Sequence, residues 1–109
     1  VEKFCEKYPK VVLLLKGANV IIAQDKKIFV NTFGSAVLSK GGSGDVLSGL
    51  IGSLLAQRYK PLDATISASL AHTLAARNYE KSNYKSSSLN VHCIFFFCCS
   101  WICRKALWR

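Results

Sequence analysis

Leu38-Ser-Lys-Gly-Gly-Ser-Gly-Asp-Val-Leu-Ser-Gly-Leu-Ile-Gly52 joins a glycine run, one carboxylate and the first turns of an apolar helix. Gly41, Gly42 and Gly44 give the backbone freedom to turn sharply and to approach a ligand closely. Asp45 falls where the unpaired N–H groups of a new helix point outward. Two readings follow. In one, the N–H groups of Gly42, Ser43, Gly44 and Asp45, reinforced by the helix dipole, form an anion hole for a phosphate, and Asp45 takes a proton from an attacking hydroxyl. In the other, the glycines are a loop and Asp45 simply complements the dipole, a contribution of about 0.3–1 kcal/mol. No Gly-Lys-Ser/Thr follows the glycines, so this is not a Walker A loop.

Downstream, Val46, Leu47, Leu50, Ile51, Leu54 and Leu55 recur in pairs four apart, which predicts an amphipathic helix from Asp45. Gly49 and Gly52 inside it cost up to about 1 kcal/mol each relative to alanine. They suggest close contact with a neighbouring element or ligand, with ordinary tight packing the other reading for Gly52. Residues 59–63, Tyr-Lys-Pro-Leu-Asp, break this helix and start a second, Pro61 suiting the first helical position and Asp63 the positive dipole end. The second helix is expected to reach about Tyr79, with Ile66, Leu70 and Leu74 and Ala68, Ala71, Ala75 and Ala76 as a small-residue apolar face. His72 on that face reads as a packed, hydrogen-bonded side chain rather than a catalytic one, because no carboxylate or nucleophile accompanies it.

Upstream, residues 1–10 are charged and suit the tail of a helix or a connector. Five apolar residues at 11–15 predict a strand buried on both faces of a parallel sheet, a buried helix segment being the alternative. Residues 20–23 and 27–30 are β-prone, and Gln24-Asp25-Lys26 between them has turn chemistry, so an antiparallel ribbon is expected. Residues 31–43 should form the loop leading to the opening motif.

The 109 residues are 50% hydrophobic and 19% charged, the balance of one folded domain or part of one. Fifteen Lys and Arg against six Asp and Glu give a net charge of +9, which favours anionic partners. The basic residues are scattered and match no nucleic-acid module, so no nucleic-acid partner is assigned. Four of the five cysteines (Cys93, Cys98, Cys99 and Cys103) lie in a terminal cluster, which is no disulfide framework and fits a reduced, cytoplasmic setting. Cys99-x-x-x-Cys103 lacks a second ligand pair unless His92 and Cys93 supply one, so no metal site is assigned. A first residue other than Met, and no Met anywhere, suggest a fragment.

Two parts are expected: residues 1–85 as a portion of one folded domain and 86–109 as an atypical hydrophobic, Cys-rich tail. The apolar run at 91–103 is shorter than the ~20 residues of a membrane helix, so no membrane partner is assigned. An altered reading frame and a native hydrophobic C-terminus are both open for it.

Lys16-Gly17-Ala18, the Gly-Ser-Gly-Asp-Val-Leu-Ser-Gly run at 42–49, and the pattern Pro61, Asp63-Ala64, Ala68, Ala71-His72, Ala75-Ala76 together resemble the C-terminal part of ribokinase-like proteins. Within that superfamily they resemble most the ADP- or ATP-dependent NAD(P)H-hydrate dehydratases, over residues 11 to about 80. The resemblance implies an α/β fold: a buried strand, a β-ribbon, an anion-hole loop and two helices, as the C-terminal part of a ribokinase-like domain. It implies that Lys16, Gly17, Ala18, Asn19 and Val20 line the nucleotide site, that Gly44 contacts the nucleotide phosphate, and that Asp45 faces the hydrated nicotinamide nucleotide as the catalytic base. ADP or ATP is then the co-substrate, with Mg²⁺ accompanying it. NAD(P)H is regenerated with release of AMP or ADP and phosphate. Val20 stands where that family usually has threonine, which removes one polar contact. The resemblance leaves room for a homo-oligomer and for an epimerase domain fused upstream. A vitamin or sugar kinase of the same superfamily, and an inert fragment, are the rival readings.

Overall fold

The computed structural model describes residues 1–39 and 41–82. The expectations about the tail at 86–109, including its cysteine spacing, lie outside these residues. Helix α1 (Glu2–Lys7) is followed by strands β1 (Leu13–Leu15), β2 (Val20–Gln24) and β3 (Lys27–Asn31), a 3-10 turn (Ala36–Ser39), and helices α2 (Ser43–Ala56) and α3 (Pro61–Ser82). The three strands form one antiparallel sheet in the order β1-β2-β3.

The hairpin between β2 and β3 forms as expected, its register running from Val20 opposite Asn31 to Gln24 opposite Lys27. Asp25 turns the chain with φ 52°, a left-handed conformation that a short polar side chain tolerates. The expectation for residues 11–15 is corrected: β1 pairs antiparallel with β2, Leu14 opposite Ile22. Nor is β1 buried on both faces, since Leu13 and Leu14 are half-buried and Leu15 is 42% exposed. An all-apolar run carries no alternation to distinguish one covered face from two, and the connection to β2 is only four residues long. That is too short for the crossover a parallel pair needs.

Helix α2 begins two residues before the sequence pattern suggests, at Ser43. Gly42 caps it at φ 86°, a conformation costly to any residue with a Cβ. Val46, Leu47, Leu50 and Leu54 are buried and meet Ala64, Ala68 and Ala75 of α3, while Leu55 is exposed. Alanines on α3 let the leucines of α2 fill the space between the helix axes, which lie about 8–10 Å apart in such packings. Gly49 and Gly52 do not mark close contacts with neighbouring elements among the described residues, where a Cβ at either would meet nothing within 4 Å. Pro61 is the first residue of α3 and Asp63 lies in its first turn, as expected. Leu74 faces outward at 39% exposure, and the buried side of α3 carries Ser69, His72 and Thr73 among its alanines. No helix among the described residues is long and apolar enough to cross a membrane.

Candidate functional site

A cavity of about 850 Å³ opens where the loop after β1, the loop after β3 and the N-terminus of α2 meet, with α3 behind them. The β-ribbon brings the first two loops together. Gly34 approaches Ala18 so closely that a Cβ on it would lie 2.5 Å from the Ala18 carbonyl oxygen. Only a residue without a side chain fits that approach.

The anionic end of the cavity is built from β1 and α2. Lys16, at the end of β1, donates from Nζ to Ser43 Oγ at 2.9 Å, and Ser43 Oγ donates onward to the Leu38 carbonyl at 2.7 Å. Lys16 Nζ also lies 3.6 Å from where a Gly44 Cβ would be. An ammonium is thus held beside the first turn of a fourteen-residue helix, where backbone N–H groups have no intrahelical acceptor. The Asp45 N–H bends back to the Gly42 carbonyl at 3.1 Å, so the N–H groups of Ser43 and Gly44 carry the larger share of the partial positive charge left for an anion.

Of the residues singled out in the sequence, Lys16, Gly17, Ala18, Val20, Gly42, Ser43 and Gly44 line this cavity. Asn19 is exposed on the same loop without forming its wall, and Val20 is buried at 9% exposure. Asp45 is exposed on the first turn of α2, next to Gly44 but outside the wall. The arrangement therefore separates an anion-binding wall from a solvent-accessible carboxylate one residue along the helix.

The cavity lining also includes Asn31, Ser35 and His72, to which the sequence assigns no role in the site. Asn31, at the end of β3 and 8% exposed, donates from Nδ2 to Ser69 Oγ at 3.0 Å and to Thr73 Oγ1 at 3.2 Å, while its Oδ1 accepts from the Phe33 N–H at 3.1 Å. It ties the loop after β3 to the middle of α3. Beyond it, Ser35 Oγ donates to Glu80 at 2.6 Å and the Arg77 guanidinium lies 5.4 Å from the Phe33 ring centre. His72 is 2% exposed and forms part of the cavity wall. Burial, and then the positive charge of Lys16, lower its pKa from 6.5 to about 4, against the raising effect of a hydrogen bond to the Ser43 backbone. It is packed, as the sequence suggests, but its Nε2 has no partner among the described residues. The available signal is the occurrence of Ser69, His72 and Thr73 among the alanines of the buried face of α3.

A family model described as NAD(P)H-hydrate dehydratase matches residues 1–95, wider at both ends than the span over which the motifs carry the resemblance. The bifunctional NAD(P)H-hydrate repair enzyme Nnr of Helicobacter pylori is 58% identical over 88 residues, which are 81% of this chain and 19% of that protein. The ADP-dependent (S)-NAD(P)H-hydrate dehydratase of Neisseria meningitidis is 45% identical over 65 residues, 59% of this chain and 22% of that protein. Among solved structures, Bacillus subtilis YxkO of the UPF0031 family matches with a TM-score of 0.76 at 24% identity, over 94% of this chain and 40% of that one. That likeness concerns the fold, and it supports the expected partial ribokinase-like α/β architecture. The chain spans less than a quarter of the length of either relative.

Proposed function

The chain belongs to the NAD(P)H-hydrate dehydratase family, and from that premise we propose that its cavity takes an adenine nucleotide for the repair of hydrated NAD(P)H. In this reading the reaction is a nucleotide-dependent dehydration, a lyase activity. The observation that carries the reading is the convergence of Lys16 Nζ, Ser43 and Gly44 at the α2 N-terminus. There an ammonium, helical N–H groups and a helix dipole favour the same guest, a phosphate. Gly17, Ala18 and Val20 present backbone and small side chains to the rest of the nucleotide, and Asn19 lies on the same loop.

In this reading Asp45 accepts the proton of the substrate hydroxyl as its oxygen bonds to the terminal phosphorus and the bond to the departing AMP or ADP breaks. Lys16 and the N–H groups of Ser43 and Gly44 hold the charge that spreads over the transferring phosphoryl group. Inorganic phosphate then leaves with the electrons of its C–O bond, and loss of a ring proton restores the reduced nicotinamide. The exposure of Asp45 suits a base that meets a second substrate arriving from outside the nucleotide cavity. Mg²⁺ would accompany the nucleotide, whose phosphates supply oxygen ligands. Among the described residues no group of three or more His, Cys, Asp or Glu could hold a metal ion, so no step is assigned to a protein-bound metal. A cytoplasmic setting and an epimerase partner in the same polypeptide are in keeping with the cofactor-repair role and with the word "bifunctional" in the Helicobacter relative's name.

Product analysis tests this reading. The protein, supplied with hydrated NADH and ADP, is expected to yield NADH, AMP and phosphate. A stable phosphorylated alcohol as the end product would instead assign a vitamin or sugar kinase.

A further inference from the structure

The cavity wall between β3 and α2 is the loop that carries Gly34, Ser35, Ala36 and Leu38, and α3 fastens it from outside the site. Ser35 is the fastened point. Its Oγ donates to Glu80 Oε1 at 2.6 Å and accepts the Val37 N–H at 3.2 Å, while its carbonyl accepts the Leu38 N–H at 3.0 Å. These bonds set where the 3-10 turn Ala36–Ser39 begins. Further along the turn the Leu38 carbonyl accepts Ser43 Oγ at 2.7 Å, and Ser43 Oγ accepts Lys16 Nζ at 2.9 Å. An unbroken series of hydrogen bonds, carried across one short turn of backbone, thus runs from the end of α3 to the ammonium beside the α2 N-terminus. Glu80 is exposed and does not line the cavity. The Arg77 guanidinium, 5.4 Å from the Phe33 ring centre, fastens the same loop before the turn begins.

We propose that Glu80 is a positioning residue: through Ser35 and the 3-10 turn it holds Ser43 Oγ, and with it Lys16 Nζ, where they meet the phosphates of the bound nucleotide. A carboxylate acceptor makes the Ser35 bond a charge-assisted one and turns the hydroxyl so that its lone pairs face the Val37 N–H. Without that acceptor the hydroxyl rotates to suit other partners, and the carbonyl that orients Ser43 loses its anchor. This influence is separable from the charge of Glu80. Acting through space, a carboxylate repels a phosphate, so its removal strengthens anion binding; acting through the loop, its removal weakens binding. The inference rests on the nucleotide reading of the cavity.

The test compares the affinity of the 109-residue chain for ADP and for adenosine, which carries no phosphate, with urea midpoints establishing that each variant is folded. The native sequence should prefer ADP. Glu80→Ala should lower ADP affinity about 2- to 10-fold, the range for loss of one hydrogen bond, and leave adenosine affinity nearly unchanged. Glu80→Gln, whose amide oxygen can accept from Ser35 without a charge, should restore most of the preference. Ser35→Ala should weaken ADP binding at least as much as Glu80→Ala, and the double variant no more than Ser35→Ala alone, because both changes break one series. If Glu80→Ala strengthens ADP binding or leaves it unchanged, weakens ADP and adenosine alike, or adds its loss to that of Ser35→Ala, the role of Glu80 is overturned and the nucleotide reading stands. If the native sequence binds ADP no more tightly than adenosine, the phosphate reading of the α2 N-terminus fails and this inference with it.

Discussion

Gly34 shows how a single hydrogen atom in place of a side chain holds the site open. The ribokinase-like motifs direct attention to the glycines of residues 41–44, yet Gly34 lies so near Ala18 that a Cβ on it would be 2.5 Å from the Ala18 carbonyl oxygen. Gly34→Ala must push the loop after β3 away from the loop after β1. The expected cost is about 1–3 kcal/mol of stability, read by urea denaturation, together with weakened nucleotide binding in a titration. A variant with unchanged stability and affinity would show that the two loops separate freely. Gly42, by contrast, belongs to a glycine run whose freedom to turn sharply was legible in the sequence, and the structure uses that freedom with φ 86° just before α2. Gly34 sits in a stretch with no periodicity, and its constraint arises from a partner sixteen positions away. No local pattern can reveal that.

At the scale of elements, the hairpin and both long helices could be read from turn chemistry and apolar spacing, whereas the sheet could not be read correctly. Parallel strands were expected because an apolar run resembles a doubly covered strand; the short connection to β2 forces the antiparallel pairing instead. What positions the cavity is α3, through its polar residues rather than its apolar ones. Ser69 and Thr73 hold Asn31, and Asn31 holds the Phe33 N–H. Asn31→Ala leaves these buried groups without their partner and should cost about 1–3 kcal/mol. The Phe33 amide should then exchange its hydrogen faster, while amides at the centre of α2 slow or quicken only with global stability. Unchanged exchange at Phe33 would show that the loop is held by other contacts. The sequence reading treated Ala68, Ala71, Ala75 and Ala76 of α3 as a packing face, and Ala68 and Ala75 do pack in the core, joined by Ala64. The same face doubles as the rear support of the site, a use that depends on where β3 ends and so on tertiary placement.

Across the whole molecule, folding and the site share one titrating group. His72 is neutral in the folded chain, with its pKa lowered from 6.5 to about 4. Between those values the unfolded chain binds the proton that the folded chain refuses. The stabilisation is therefore fully present above about pH 6.5 and is lost as pH falls toward 4, by on the order of 3 kcal/mol. Denaturation midpoints measured across that window should fall with pH in the native sequence and fall distinctly less in His72→Asn; parallel slopes would exclude His72 as the source. The net charge of +9 fits a phosphate-bearing ligand at this scale, but it could not locate the site. That required β1 to carry Lys16 to the α2 N-terminus, a contact between residues 27 positions apart.

The proposed chemistry depends most heavily on Asp45, the exposed carboxylate beside the anion-binding turn. The direct measurement is the restoration of reduced-nicotinamide absorbance from hydrated NADH and ADP by the protein with Asp45 intact and with Asp45→Asn, at saturating nucleotide. Loss of a general base predicts that turnover falls about 10²–10⁴-fold while ADP affinity stays close to that of the native sequence. Turnover within a few-fold of the native value would contradict the assignment of Asp45 as the base.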